Sequence, residues 1–118
     1  MIELLPVQDK SIQKEYCSRC SVEYDPDMLI YAALYNGTMI AMCQIELKNS
    51  FAKILNISCL AKNDRSQIIF LLLSAVVNFL ELCSISRVEI SSSKSYEKTI
   101  YLLGFRKKLS GVYEMNFN

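Results

Sequence analysis

The sequence predicts an α/β (α+β) domain: a mixed, twisted sheet with helices on both faces. Three observations carry this reading. Two apolar, β-prone runs, Leu29–Tyr35 and Thr38–Leu47, flank Asn36 and Gly37, a dipeptide that tolerates the positive φ angles of a tight hairpin turn. Residues 66–80 are uncharged and apolar almost all round, which suits a buried helix and is too long for a strand. Strand-like runs lie on both sides of that helix, so it crosses between them in a right-handed connection and sets one pair of strands parallel.

Taken in order, residues 1–5 read as a short strand ended by Pro6. Asp9 is placed to cap a helix running to about Cys20, with Ile12, Tyr16 and Cys20 at helical spacing. Residues 23–27, with Pro26, break that pattern, and the Asn-Gly hairpin follows. Residues 48–50 form the next turn, and 51–60 a third strand of the meander. Asp64 caps the long helix to about Cys83, with Gln67 as its capping-box partner. Residues 87–91 form another strand, with Val88 and Ile90 on one face. A helix over 95–103 closes at Gly104, and a hairpin of 105–109 and 112–117 turns at Ser110 and Gly111. The order is β-α-β-β-β-α-β-α-β-β, in a single domain spanning 1–118.

Composition narrows the chemistry. The chain has 118 residues, enough to bury a core without staples, and 52% of them are hydrophobic, which excludes a disordered tail. Thirteen basic against twelve acidic residues, a net charge of +1, argue against a nucleic-acid carrier. The uncharged run is shorter than the roughly 20 residues of a spanning helix, so no membrane association is expected. Five cysteines, an odd count with no signal-peptide pattern before them, point to a reducing cytoplasm. Cys17 and Cys20 are the one close pair. Lacking a second pair or any histidine, they make no zinc site and read as small helical residues, so no metal is expected. With no histidine, Ser-His-Asp and Cys-His nucleophile systems are absent.

The element order, together with the hairpin Tyr31-Ala-Ala-Leu-Tyr-Asn-Gly-Thr-Met-Ile-Ala-Met42 and the Gly104-Phe105 pair, resembles the GCN5-related N-acetyltransferase family. Residues 55–60 look like that family's central strand, and 100–105 like its closing Y-x-K-x-G-F motif. The resemblance implies an acyl-CoA N-acetyltransferase-like fold in a short member whose N-terminal helical region is reduced. It also implies transfer of an acyl group, from acetyl-CoA or another acyl-CoA, to a small-molecule or peptide amine. Family members hold the coenzyme pyrophosphate on backbone N–H groups of an R/Q-x-x-G-x-G/A loop at a helix N-terminus. Here Arg65 keeps the first position, with Ser66 and Gln67 after it, while Ile68 and Phe70 stand at the two glycine positions, which implies weak coenzyme binding.

The central strand offers Asn56 and Ser58 but no carboxylate, so Glu46 on the preceding strand is the candidate proton acceptor. Tyr101 is the candidate proton donor, although it lies three residues before Gly104 where the family tyrosine lies four before; Tyr96, a turn earlier, is its substitute. The backbone around Ile57 and Cys59 would meet the coenzyme and the oxyanion. The basic run Arg106-Lys107-Lys108 reads as a solvated edge strand or as a contact for the 3′-phosphate. A second reading follows from the replaced glycines and the missing carboxylate: a non-catalytic, degenerate member that senses a ligand or binds a protein. The apolar long helix and C-terminal hairpin imply a homodimer.

Overall fold

The computed structural model describes residues 1–91 and 94–117. Seven strands, β1 (Ile2–Val7), β2 (Leu29–Tyr35), β3 (Thr38–Leu47), β4 (Phe51–Cys59), β5 (Arg87–Ile90), β6 (Arg106–Lys107) and β7 (Tyr113–Asn116), make one mixed sheet in the order β1-β2-β3-β4-β5-β7-β6. Helix α1 (Lys10–Arg19) lies on one face. Helices α2 (Arg65–Leu82) and α3 (Glu97–Leu102), the latter preceded by a 3-10 turn at Lys94–Tyr96, lie on the other. All neighbours among the described strands are antiparallel except β4 and β5, which α2 connects in parallel.

Local chemistry explains most of the boundaries. Asn36 and Gly37 both take positive φ, 50° and 83°, as a type I′ turn requires. Asp9 caps α1 by accepting from the N–H groups of Ser11 and Ile12 at 2.9 and 3.2 Å. Gly104, at φ 109°, ends α3: its N–H donates to the Tyr101 carbonyl, and that of Phe105 donates to Ile100. These paired bonds are the Schellman arrangement. The basic run does lie at a sheet edge, β6, where Lys107 and Lys108 pair with Glu97 and Glu114.

Four expectations are corrected. Pro6 does not end β1, which continues to Val7; β1 is an edge strand and needs partners on one side only, so a residue without an N–H is tolerated. Asp64 precedes α2 in the left-handed region (φ 58°) and its side chain makes no capping bond, so no capping box with Gln67 forms. On α1, Gln13 and Cys17 are the buried residues, while Ile12 is 38% exposed; the helix faces the sheet along a line one residue away from the apolar spacing. The last helix is shorter than 95–103 because its first turn winds as 3-10.

The larger core lies between the sheet and α2. Ile68, Ile69, Leu72, Leu73, Val76 and Leu80 pack on Ala33, Ala41, Cys43, Ile45, Ala52, Ile54, Val88 and Ile90, and α3 adds Ile100. By length and composition α2 is long and apolar enough to cross a membrane, with a mean hydropathy of 1.5; here its apolar stripe covers the sheet. The smaller core sets Cys17 of α1, with Tyr16 and Cys20, on Ile30, Ala32, Met39 and Met42.

Two outcomes follow from this packing. Leu73→Ala removes a fully buried side chain and should cost about 2–5 kcal/mol of unfolding free energy, whereas Phe70→Ala on the same helix, at a position 39% exposed, should change it by less than about 1 kcal/mol. Urea denaturation of both variants measures the difference, and equal losses would refute the assigned face of α2. The Asp9 carboxyl is held below its ordinary value of 3.8, first by the Ser11 hydroxyl and then by the two backbone N–H groups. A depressed folded value means the cap's contribution is complete above the unfolded pKa and is lost as pH falls through the lower folded one. The stability gap between the native protein and Asp9→Ala should therefore be constant at neutral pH and close in strong acid, read from urea midpoints across a pH series.

Candidate functional site

β4 and β5 are paired only from Phe51 opposite Arg87 to Ile54 opposite Ile90. Beyond Ile54, β4 continues to Cys59 and, among the described residues, pairs with β3 alone, so its pairing with β5 ends there and the strands part. The parting begins at a bulge. The β3–β4 register shifts between Met42 and Gln44, so that Cys43 faces both Asn56 and Ile57, and Asn56 takes φ 53°. An asparagine bears that left-handed backbone better than most residues. The extra residue also changes which side chains face which way: Ala52 and Ile54 point toward α2, as do Ile57 and Cys59 after the bulge. The β4 backbone past Ile54 that faces β5 has no strand partner among the described residues.

On the α2 side of the opening lies the start of α2. Its first intrahelical bond is the Ile68 N–H to the Asp64 carbonyl at 3.0 Å, which leaves the N–H groups of Arg65, Ser66 and Gln67 outside the helix ladder, and Asp64 does not cap them. The Arg65 guanidinium donates to the Ala61 carbonyl at 2.9 Å and to the Tyr96 hydroxyl at 3.4 Å. It therefore ties the loop after β4 to the segment after β5, across the mouth of the opening. Ser66 and Gln67 are exposed and line a groove of about 430 Å³ between α2 and α3, together with Phe70, Leu71, Thr99 and Leu102. Ile68, at the first glycine position of the family motif, turns into the core, and Phe70, at the second, lines this groove.

The two tyrosines separate clearly. Tyr96 is buried and meets Arg65. Tyr101 is 42% exposed and stands edge-on to Tyr113, with ring centroids 5.7 Å apart and planes at 89°. Tyr113 donates its hydroxyl to the Glu97 carboxylate, and that bond, before any effect of burial, pushes the phenol up to about 12. Among the described residues, Arg65 hydrogen-bonds Tyr96 and not Tyr101, so Tyr96 is the tyrosine that stands at the opening.

On the sheet face that carries α1, the bulge is held by a polar cluster. Gln44 is buried; its amide N–H donates to the Glu23 carbonyl at 3.1 Å, and its oxygen accepts from the Asn56 amide at 2.6 Å. Ser58 lies on the same face near Cys20, whose thiol burial pushes up and the Ser58 hydrogen bond partly offsets. Burial likewise raises Cys17, and all five cysteines are free. Burial therefore disfavours the thiolate at both members of the close pair, which pack as small residues between α1 and the sheet.

Among the described residues, no helix other than α1 covers this face of the sheet. Glu46 lies there in a row that crosses five strands: Glu46 is opposite Lys53, Lys53 opposite Glu89, Glu89 opposite Glu114, and Glu114 opposite Arg106. Arg87 bridges Glu89 and Glu114 at 3.1 and 3.5 Å and lies over the Phe51 ring at 4.3 Å. Lys108 holds Glu114 at 2.9 Å, and this contact keeps the Glu114 carboxyl below its ordinary range. Lys48 pairs with Glu46 at 3.3 Å.

The structure thus brings Arg65, Ser66, Gln67, Ile57 and Cys59 to the two sides of one opening and sets Glu46 on the open face, one row below the Gln44–Asn56 pair. It also shows a carboxylate that the sequence reading passed over. Glu89 stands one residue before the last paired residue of β5, a strand nearer the opening than Glu46. Only the parallel register places Glu89 beside Lys53, and no local pattern announces that register.

No protein-family model and no curated protein matches the chain. Solved structures do. A GNAT family acetyltransferase from Elizabethkingia anophelis with acetyl-CoA bound superposes with a TM-score of 0.72 at 17% identity, covering 98% of each chain. The ribosomal-protein-S18-alanine N-acetyltransferase of Escherichia coli gives 0.72 at 15%, covering 98% of this chain and 94% of its own. N-acetylglutamate synthase from Neisseria gonorrhoeae, complexed with coenzyme A and L-arginine, gives 0.77 at 10%, covering 98% of this chain and 33% of its own. The strand order, the parted parallel pair and these superpositions together show that the chain has the fold of the GCN5-related N-acetyltransferases.

Proposed function

We propose that the protein binds an acyl-CoA at the start of α2 and transfers its acyl group, through the opening between β4 and β5, to an amine on the α1 side of the sheet. The observation that carries this reading is the joining of the two halves of such a site. Uncapped backbone N–H groups and Arg65 stand at one end of the opening, and a polar, carboxylate-bearing sheet face stands at the other. Solved structures of the same fold hold coenzyme A or acetyl-CoA, which supports the ligand class.

Each group has a chemical task. The N–H groups of Arg65, Ser66 and Gln67, at the positive end of the α2 dipole, receive the pyrophosphate, and the Arg65 charge adds to the attraction. Unpartnered β4 backbone near Ile57 and Cys59 hydrogen-bonds the pantetheine amides and the oxyanion formed when the amine attacks the thioester carbon. Glu89 takes the amine proton, through water where the acceptor is short, and Tyr96 protonates the departing thiolate. Glu46, further along the row, helps to hold the incoming ammonium group. Binding is weaker than on a glycine-lined loop, because the Phe70 side chain lines the groove beside the helix start, while that of Ile68 turns into the core. Those two residues also support a second reading, a domain that binds the coenzyme or a protein without chemistry.

Calorimetry with acetyl-CoA should show one site, and Arg65→Ala should weaken it about tenfold, the loss of one charge-assisted contact. No heat of binding at millimolar ligand would refute the coenzyme reading. With an amine panel that includes free amino acids and short peptides, Glu89→Gln should lower kcat roughly 100-fold while leaving acetyl-CoA affinity unchanged. Binding without turnover of any amine would favour the non-catalytic reading.

A further inference from the structure

Lys53 is the unengaged member of the charged row. It is half-buried on β4, between Glu46 on one neighbouring strand and Glu89 on the other. Strand spacing puts those two backbones about 10 Å apart with Lys53 midway. Glu46, Glu89 and Glu114 all have a basic partner from elsewhere, Lys48, Arg87 and Lys108 respectively. Among the described residues, no ion pair or hydrogen bond engages the Lys53 ammonium. The next side chain on its face is Leu55, the first residue of β4 past the parting of the strands. That is a distance of about 7 Å along the strand, within reach of a flexible four-carbon stem.

We propose that Lys53 is an internal acyl acceptor, a self-acetylation site built into the open face of the sheet. The proposal rests on the acyl-CoA reading above. Once its ammonium proton has passed to water, the Lys53 amine attacks the thioester carbonyl carbon. The N–C bond forms and the C–S bond breaks. One of the two amine protons goes to the Glu89 carboxylate and the other stays on the amide nitrogen, while the coenzyme thiolate takes a proton from the Tyr96 hydroxyl. The products are acetyl-lysine and free coenzyme A, and water resets both protonation states. Two features single out Lys53 from the exposed Lys62 and Lys98: it lies on the face onto which the thioester emerges, and it sits beside a carboxylate that accepts the proton.

The test is incubation of the purified full chain with acetyl-CoA, followed by intact-mass measurement and peptide mapping over time, with acetyl-CoA binding measured in parallel by calorimetry. One acetyl group should appear on Lys53 at least about tenfold faster than on Lys62 or Lys98, the advantage of a held over a freely diffusing amine. The rate should saturate with acetyl-CoA, be lost in Lys53→Arg, and fall roughly 100-fold in Glu89→Gln with binding intact. A small acetyl thioester lacking the nucleotide should label lysines without preference. Equal labelling of many lysines by acetyl-CoA, or a single label elsewhere, with binding intact, overturns the Lys53 proposal and leaves the coenzyme reading standing. Absence of acetyl-CoA binding overturns both.

Discussion

Among the described residues, four ladder pairs, Phe51–Arg87 through Ile54–Ile90, join the β1–β4 half of the sheet to the β5–β7 half, with the Ser86 N–H and hydroxyl donating to the Ser50 carbonyl just before them. The brevity of that seam is the constraint behind the rest of the molecule. A longer seam would close the opening; a shorter one would leave α2 to hold the halves alone. The bulge at Asn56 ends the seam at this point by taking β4 out of step with β3. It exchanges ordinary strand geometry for a left-handed residue, and the Asn56 amide bond to Gln44 offsets part of that cost by satisfying two amides at once.

Helix α2 gives the seam its second support. Its buried residues touch both halves, Ala33 to Ile54 on one side and Val88 and Ile90 on the other, so the parted strand ends cannot drift apart without exposing core. The same helix carries no acidic residue in its first turn and no basic residue in its last. Its dipole is therefore not neutralised by its own side chains in either end turn, and the positive end faces the opening with Arg65 as the nearest cation. The glycine substitutions fit this arrangement. Ile68 belongs to the core that clamps the seam, so the change that removes a bare backbone also strengthens the support beneath it.

Much of this was legible in the sequence, for a physical reason. The Asn-Gly turn, the Asp9 cap and the Gly104 stop act within a few residues, so local chemistry dictates them, and the element order follows. The parallel pairing was readable as well, because a long apolar helix between two strands leaves few other topologies. What escaped depends on register. The row Glu46–Lys53–Glu89–Glu114–Arg106 is assembled from five separate strands, and a one-residue slip in any of them would turn that member to the other face. The choice between the two tyrosines also needed the fold: Tyr96, offered by the sequence only as a substitute, meets Arg65 from the end of the 3-10 turn, while Tyr101, closer to the motif spacing, is carried onto Tyr113.

The crossover that makes the seam also sets the order in which the chain assembles. β2, β3 and β4 are joined by short turns, so their pairing closes small loops and needs little entropy. The seam closes only after everything from Leu55 to Ser86 has been spanned, and it recovers four pairs for that cost. Hairpins form on microsecond scales, whereas pairings this distant in sequence belong to the slow end of folding. Until they meet, the meander exposes the flank of β4 that later receives β5. That flank is a bare row of backbone donors and acceptors, open to capture by the same strand of another newly made chain.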